Sequence, residues 1–306
     1  MGKKRKKRLV FALWAVLILF TGSTGIAAAK DAKEAPEMDS QFVIETVETN
    51  DFSMDYLKFG HGEKTLVILP GLSVQSVMGS AEAIVQAYQQ MTDDFTIYVF
   101  DRRKELPAGY SVQDMAEDTA QALRAAGLDR TDLFGASQGG MIAMEIAIRH
   151  PELVEKLVLG STTAGITEEQ FPLFESWIRL AKEQDAQALY LSFGEALYPE
   201  DVFEQSKDLL IEAAKSVTEE DLQRFIILAE ALKGFDITDE LSRIACPVLL
   251  LGSEDDRVLG ADAASKIAEQ LKKRPDFELY MYAGYGHAAY DTAPDYKDRI
   301  LRFLGE

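Results

Sequence analysis

Apolar and polar residues alternate from Phe42 to Thr49 and again from Met54 to Phe59. That period belongs to strands with one buried face, and the short gap predicts an antiparallel hairpin. Continuous apolar runs follow at Thr65–Leu69 and Val248–Leu251, with a further buried strand at Phe95–Phe100 and strands at Thr131–Phe134 and Leu153–Leu159. Runs of that kind mark strands buried on both faces, as in a parallel sheet. Phe277–Tyr282 reads as a last strand. Helical patterns separate the runs at Ser76–Gln90, Ser111–Ala126, Gln138–Arg149, Ala261–Lys272 and Pro294–Leu304. Ser111 is an N-cap and Gly127 a stop, whereas Asp101-Arg102-Arg103-Lys104 reads as a polar loop. The alternation predicts an α/β fold with a mostly parallel eight-stranded sheet and helices on both faces.

Between Glu168 and Gly234 the pattern changes. No strand period occurs, and the segment is helical, acidic and rich in aromatics: Phe171, Phe174, Trp177, Tyr190, Phe193, Tyr198, Phe203 and Phe225. It reads as an all-helical cap over residues 166–235, inserted into a core of residues 41–165 and 236–306. Its aromatics either fasten a lid to the sheet or line an apolar pocket.

The first eight residues hold six basic side chains and no acid, followed by the apolar run Leu9–Phe20 and then by Ala27-Ala28-Ala29. A basic start, a short apolar stretch and small residues at −3 and −1 form a secretory signal pattern, with cleavage after Ala29. The alternative is an uncleaved membrane anchor over residues 1–29. Either puts the globular part outside the cytoplasm, secreted or anchored. Residues 30–40 are charged and read as a flexible lead-in. The formal net charge is −19, and without the leader the chain is more acidic by six charges. Such a surface repels nucleic acid and anionic membranes, so neither is a partner of the mature domain. The single cysteine, Cys246, precludes an intrachain disulfide and reads as a buried structural thiol.

Candidate chemistry centres on Gly135-Ala136-Ser137-Gln138-Gly139. A buried strand ends in Gly-x-Ser-x-Gly and a helix begins at once. The glycines permit the tight reversal, and the serine is left at the apex, where a helix N-terminus favours developing negative charge. A serine hydroxyl needs a base. Of the three histidines, His61 lies in a turn, and His150 is carried about 18 Å away along the helix. His287 sits in a glycine-bounded loop after the last strand, where open α/β sheets hold ligands. The carboxylate that orients it belongs between Ser137 and His287, at the end of a strand. Gly252-Ser253-Glu254-Asp255-Asp256-Arg257 supplies Asp256, with Asp255 as the alternative acid. The expected oxyanion donors are the backbone N–H groups of Gln138 and Leu72, since Pro70 has none.

These motifs resemble the α/β-hydrolase superfamily over nearly all of residues 42–304. The matching stretches are Leu69-Pro70-Gly71, Phe100 to Arg103, Tyr110 to Met115, Gly135 to Gly140, His150-Pro151-Glu152, Gly252 to Arg257 and Gly286-His287. The chain is similar to smaller bacterial members with a helical cap. Pro70-Gly71 stands where the family usually has His-Gly. The resemblance implies the α/β-hydrolase fold and a hydrolase with no cofactor and no metal, but not a substrate.

The leading expectation is a serine hydrolase that cleaves a carboxylic ester or thioester through an acyl-enzyme, on a small molecule with an apolar acyl or aryl group. Two other readings are an extracytoplasmic ligand-binding sensor on a hydrolase scaffold and an aminopeptidase-type hydrolase. Oligomeric state is not legible.

Overall fold

A computed structural model describes residues 42–306. The expected leader over residues 1–29 and the lead-in over 30–40 lie outside the described residues. No helix among the described residues is long and apolar enough to cross a membrane.

The opening hairpin comprises β1 (Phe42–Glu48) and β2 (Ser53–Gly60), paired antiparallel with Phe42 opposite Phe59. β2 pairs antiparallel with β4 (Phe95–Arg103), through a register shift between Met54 and Tyr56. Every later pairing is parallel: β3 (Lys64–Leu69) with β4 and β5 (Thr131–Ala136), β5 with β6 (Val154–Gly160), β6 with β7 (Val248–Ser253), and β7 with β8 (Phe277–Tyr282). The order in the sheet is β1-β2-β4-β3-β5-β6-β7-β8. Strand order reverses at β3, which has β4 on one side and β5 on the other. The loops leaving β3 and β5 therefore diverge over a crevice, the usual ligand position in such sheets. β5 and β7 are buried throughout.

Helices α1 (Ala81–Tyr88), α2 (Val112–Ala125) and α3 (Gln138–Arg149) connect the first parallel strands. α2 opens on a capping box: Ser111 caps the Asp114 N–H, and the Asp114 carboxylate accepts from the Ser111 N–H. Helices α8 (Ala263–Leu271), α9 (Ala289–Thr292) and α10 (Tyr296–Gly305) complete the core. The cap consists of α4 (Phe171–Lys182), α5 (Ala186–Leu197), α6 (Glu200–Ala214) and α7 (Glu219–Glu230), all between β6 and β7. Its two stems are pinned together where the Ile166 N–H donates to Phe235 O at 2.8 Å and the Ile237 N–H to Ala164 O at 2.8 Å.

Several boundaries differ from the sequence reading. β4 continues through Asp101, Arg102 and Arg103, where a polar loop was expected. Arg103 pairs with Met54 across the sheet, and the Asp101 and Arg102 side chains are buried in polar contacts, so these charges do not end the strand. The helix expected over Ser76–Gln90 has α-helical hydrogen bonding only at Ala81–Tyr88, with 3₁₀ turns at Val77–Ser80 and Gln89–Met91. The last helix starts at Tyr296, and the loop after His287 contains the short helix α9. Cys246 is half-buried, not buried. Desolvation still pushes its thiol up to about 11, which leaves it unreactive at neutral pH.

The cap aromatics are all buried. Phe174, Trp177, Phe193 and Phe225 form an edge-to-face series, with ring centres 5.3, 4.6 and 6.1 Å apart. This series is the cap's own core, and part of it faces the crevice.

Candidate active site

Ser137 stands between β5 and α3 with φ 53° and ψ −121°, a backbone that non-glycine residues rarely adopt. The turn is held from three directions. The Ser137 N–H donates to Gly160 O at 2.9 Å, its carbonyl accepts from Gly140 N at 2.9 Å, and Thr162 Oγ1 donates to the same carbonyl at 2.7 Å. Gly139 is required by contact: a Cβ there would lie 2.0 Å from Leu69 O. The strand carrying Leu69 and the helix carrying Gly139 meet backbone to backbone.

His287 Nε2 lies 3.0 Å from Ser137 Oγ, and His287 Nδ1 lies 2.8 Å from Asp256 Oδ2. A carboxylate only accepts, so Nδ1 carries the proton and Nε2 is left to accept from the serine hydroxyl. His287 and Asp256 are buried, and Ser137 is half-buried. The other oxygen of Asp256 accepts the N–H groups of Val258 at 2.8 Å and Leu259 at 2.9 Å. Burial opposes the Asp256 charge, but His287 and these two N–H groups outweigh it and hold the carboxyl below its ordinary value.

Asp255, the alternative acid, does not reach the imidazole. Its carboxylate accepts the N–H groups of Gly284 and Gly286, each at 3.1 Å, and the Ser253 hydroxyl at 3.1 Å. It ties down the loop that carries His287. His61 is exposed at its turn, 3.5 Å from Asp93. His150 contacts Glu117 at 2.9 Å and Arg124 at 3.1 Å, at the far end of α3.

Gln138 begins α3, so its N–H has no partner within the helix. Leu72, in the loop after β3, lines the same cavity as Ser137 and His287. No acceptor for either N–H occurs among the described residues. The wall is completed by Phe174, Trp177, Phe193 and Leu197 of the cap, with Met141, Val258 and Tyr290 among the core residues. Among the described residues, no acidic or basic side chain other than His287 lines the cavity. Its free volume is about 10 Å³, room for one water molecule.

Sequence reasoning missed a buried polar cluster behind the Ser137 turn. Asp101 accepts from Ser76 Oγ at 2.6 Å and pairs with Arg224 of α7. Arg102 donates to Pro70 O at 2.8 Å and to Gln138 Oε1 at 3.3 Å. Gln138 Nε2 donates to Leu228 O of α7 at 2.7 Å. Burial pushes the Arg102 guanidinium down to about 10, which leaves it charged at neutral pH. The one signal in the sequence was a charged triplet directly abutting a buried strand.

An eight-stranded sheet of this order, with a serine on a strained turn against a histidine and an aspartate, defines a hydrolase scaffold. A family described as alpha/beta hydrolase fold matches residues 64–294, and this chain belongs to it. Among curated proteins it is 28% identical over 247 residues to the provisionally named carbamate hydrolase RutD of Serratia proteamaculans, covering 78% of this chain and 91% of that protein. It is 27% identical to the protein of the same name from Agrobacterium fabrum, covering 80% and 96%. Among solved structures, the alpha/beta hydrolase MGS-M2 from a deep-sea metagenome superposes with a TM-score of 0.75 at 21% identity, covering 86% of this chain and 98% of that one. The enol-lactonase of Burkholderia xenovorans superposes with a TM-score of 0.72 at 16% identity, covering 86% and 100%.

Proposed function

We propose that this protein is a serine hydrolase that cleaves a carboxylic ester or thioester with an apolar acyl or aryl group. The observation that carries this reading is the hydrogen-bonded series Ser137–His287–Asp256, with 3.0 and 2.8 Å contacts, at a helix N-terminus. Ser137 Oγ attacks the acyl carbon while His287 Nε2 takes its proton. Asp256 holds the imidazole in the required tautomer and stabilises the cation. The N–H groups of Gln138 and Leu72 receive the oxyanion. His287 then protonates the leaving alcohol or thiol. Water, deprotonated by the same nitrogen, releases the acid and restores Ser137.

The apolar cavity wall supports a neutral substrate, because a charged acyl group would be desolvated there without a partner. The relatives named as carbamate hydrolases make carbamate esters, which present a similar acyl carbon, the first alternative to include.

The test is hydrolysis of p-nitrophenyl esters from acetate to decanoate, with a p-nitrophenyl carbamate beside them, by the protein and its Ser137→Ala variant. Turnover lost in the variant supports the reading. Turnover that survives in it, or no turnover on any member by the folded protein, overturns it. We also propose an extracytoplasmic location, which rests on the N-terminal pattern and is checked by cell fractionation.

A further inference from the structure

We propose that Arg102 and Gln138 form a positioning bridge that fixes the two oxyanion donors relative to each other and registers the cap upon them. The inference rests on the acyl-transfer reading above. Arg102 and Gln138 are 4% and 1% exposed. One guanidinium nitrogen of Arg102 donates both to Pro70 O at 2.8 Å and to Gln138 Oε1 at 3.3 Å. Pro70 lies two residues before Leu72, so its carbonyl fixes the start of the loop that carries one donor. Gln138 supplies the other donor from its own backbone. A single side chain thus joins the two halves of the oxyanion site, which come from the ends of β3 and β5.

The bridge continues into the cap. The Gln138 amide group donates to Leu228 O at 2.7 Å, in the same helix that sends Arg224 to Asp101. Asp101 in turn accepts the backbone N–H of Arg102 at 2.8 Å and the Ser76 hydroxyl at 2.6 Å. The Asp101 carboxylate takes the guanidinium of Arg224 but only the backbone N–H of Arg102, while Arg102 Nε and Arg224 Nη1 have no partner among the described residues. A core built only for stability favours apolar groups over a buried cluster left partly unsatisfied. Oxyanion donors, in contrast, act only when held within a few tenths of an ångström of the developing charge, and small misplacements cost large factors in rate.

Arg102→Lys keeps the charge beside Asp101 but loses the planar fork. Gln138→Met keeps the side-chain length and the backbone N–H but loses both side-chain bonds. The full-length protein and these variants are compared on the p-nitrophenyl ester that the wild type prefers. In parallel, phosphonylation of Ser137 by an alkyl p-nitrophenyl phosphonate is followed by mass spectrometry. Each variant is expected to lose about tenfold or more in kcat, with KM within about twofold. Phosphonylation is expected to slow by a similar factor. The double variant is expected to be no worse than the weaker single one, because the two side chains act as a unit. Variants with a lowered Tm but wild-type kcat and labelling rate overturn the bridge, as does a rise in KM alone. If Arg102→Lys fails to fold, Gln138→Met, which leaves the Asp101–Arg224 pair in place, decides the question. A wild type that is active and needs Ser137, with variants equally fast, removes only the bridge. A wild type that neither hydrolyses the ester nor is phosphonylated removes the acyl-transfer reading and the bridge together.

Discussion

Asp255 and Asp256 are adjacent in the chain and hold the same histidine loop in different ways. Asp256 takes the imidazole of His287, and Asp255 takes the backbone N–H groups of Gly284 and Gly286. In the proposed mechanism only the first contact touches a reacting group. Asp256→Asn is therefore expected to lower kcat by about 10³- to 10⁴-fold. Asp255→Ala leaves N–H groups that water can reach, and is expected to cost about tenfold in kcat and ~1 kcal/mol in stability. Steady-state kinetics of the two variants separates the roles. Equal losses would overturn this division.

The meeting of Gly139 with β3 predicts a steric failure. A methyl group there would sit 2.0 Å from Leu69 O and 2.6 Å from Pro70 O. Both are backbone atoms that cannot rotate away. Gly139→Ala is expected to lose ~3 kcal/mol or more, or not to fold. Gly109 has nothing within 4 Å of such a methyl but has φ +72°. Gly109→Ala is expected to cost only ~1 kcal/mol, for the backbone alone. Urea midpoints give the comparison.

Asp132 predicts a dependence of stability on pH. Burial pushes its carboxyl up to about 6, although Lys156 and Lys64 pull it down, and one of its oxygens has no partner. An unfolded aspartate titrates near ~3.9. Between these values the native state binds the proton and the unfolded state does not. Raising the pH through this window therefore removes stability, on the order of 2 kcal/mol. Asp132→Asn is expected to flatten that slope, so that it is more stable than wild type at pH 8 but not at pH 4. Denaturation at both values tests it, and parallel curves would count against the assignment.

Trp177 predicts a change in selectivity. It lines the cavity between Phe174 and Phe193 and is 1% exposed. Trp177→Leu opens space in the cavity beside Ser137 while keeping the wall apolar. The optimum in a p-nitrophenyl ester series is expected to move towards longer chains, with a stability loss of ~1–3 kcal/mol. An unchanged optimum would show that Trp177 serves only the cap's core.

The strand and helix pattern of the core was legible because burial on both faces forces continuous apolar runs. The positions of Ser137, Asp256 and His287 were legible because strand ends and glycine turns mark where a sheet presents side chains. Asp101, Arg102 and Arg103 were misread because charge after an apolar run ordinarily means solvent. Their partners, Pro70, Gln138 and Arg224, lie far away in the chain and carry no local signature. The work of Asp255 was hidden for a related reason, since the groups that donate to it are backbone N–H groups of a loop 29 and 31 residues further on. The break of the expected helix at Ser76–Gln90 into shorter pieces depends on contacts such as Ser76 with Asp101, which no local period encodes.

The cavity beside Ser137 has room for about one water molecule. An acyl chain therefore cannot occupy it until Trp177, Phe193 and Leu197 draw back from the loops of the sheet. The bonds that resist this are Arg224 with Asp101, Gln138 with Leu228, Gln170 with Leu259 and Arg257 with Tyr198. A cap that must open in this way is expected to set the maximal rate of every productive cycle. Esters of very different intrinsic reactivity would then converge on one maximal rate, and that shared rate would fall as the solvent is made more viscous.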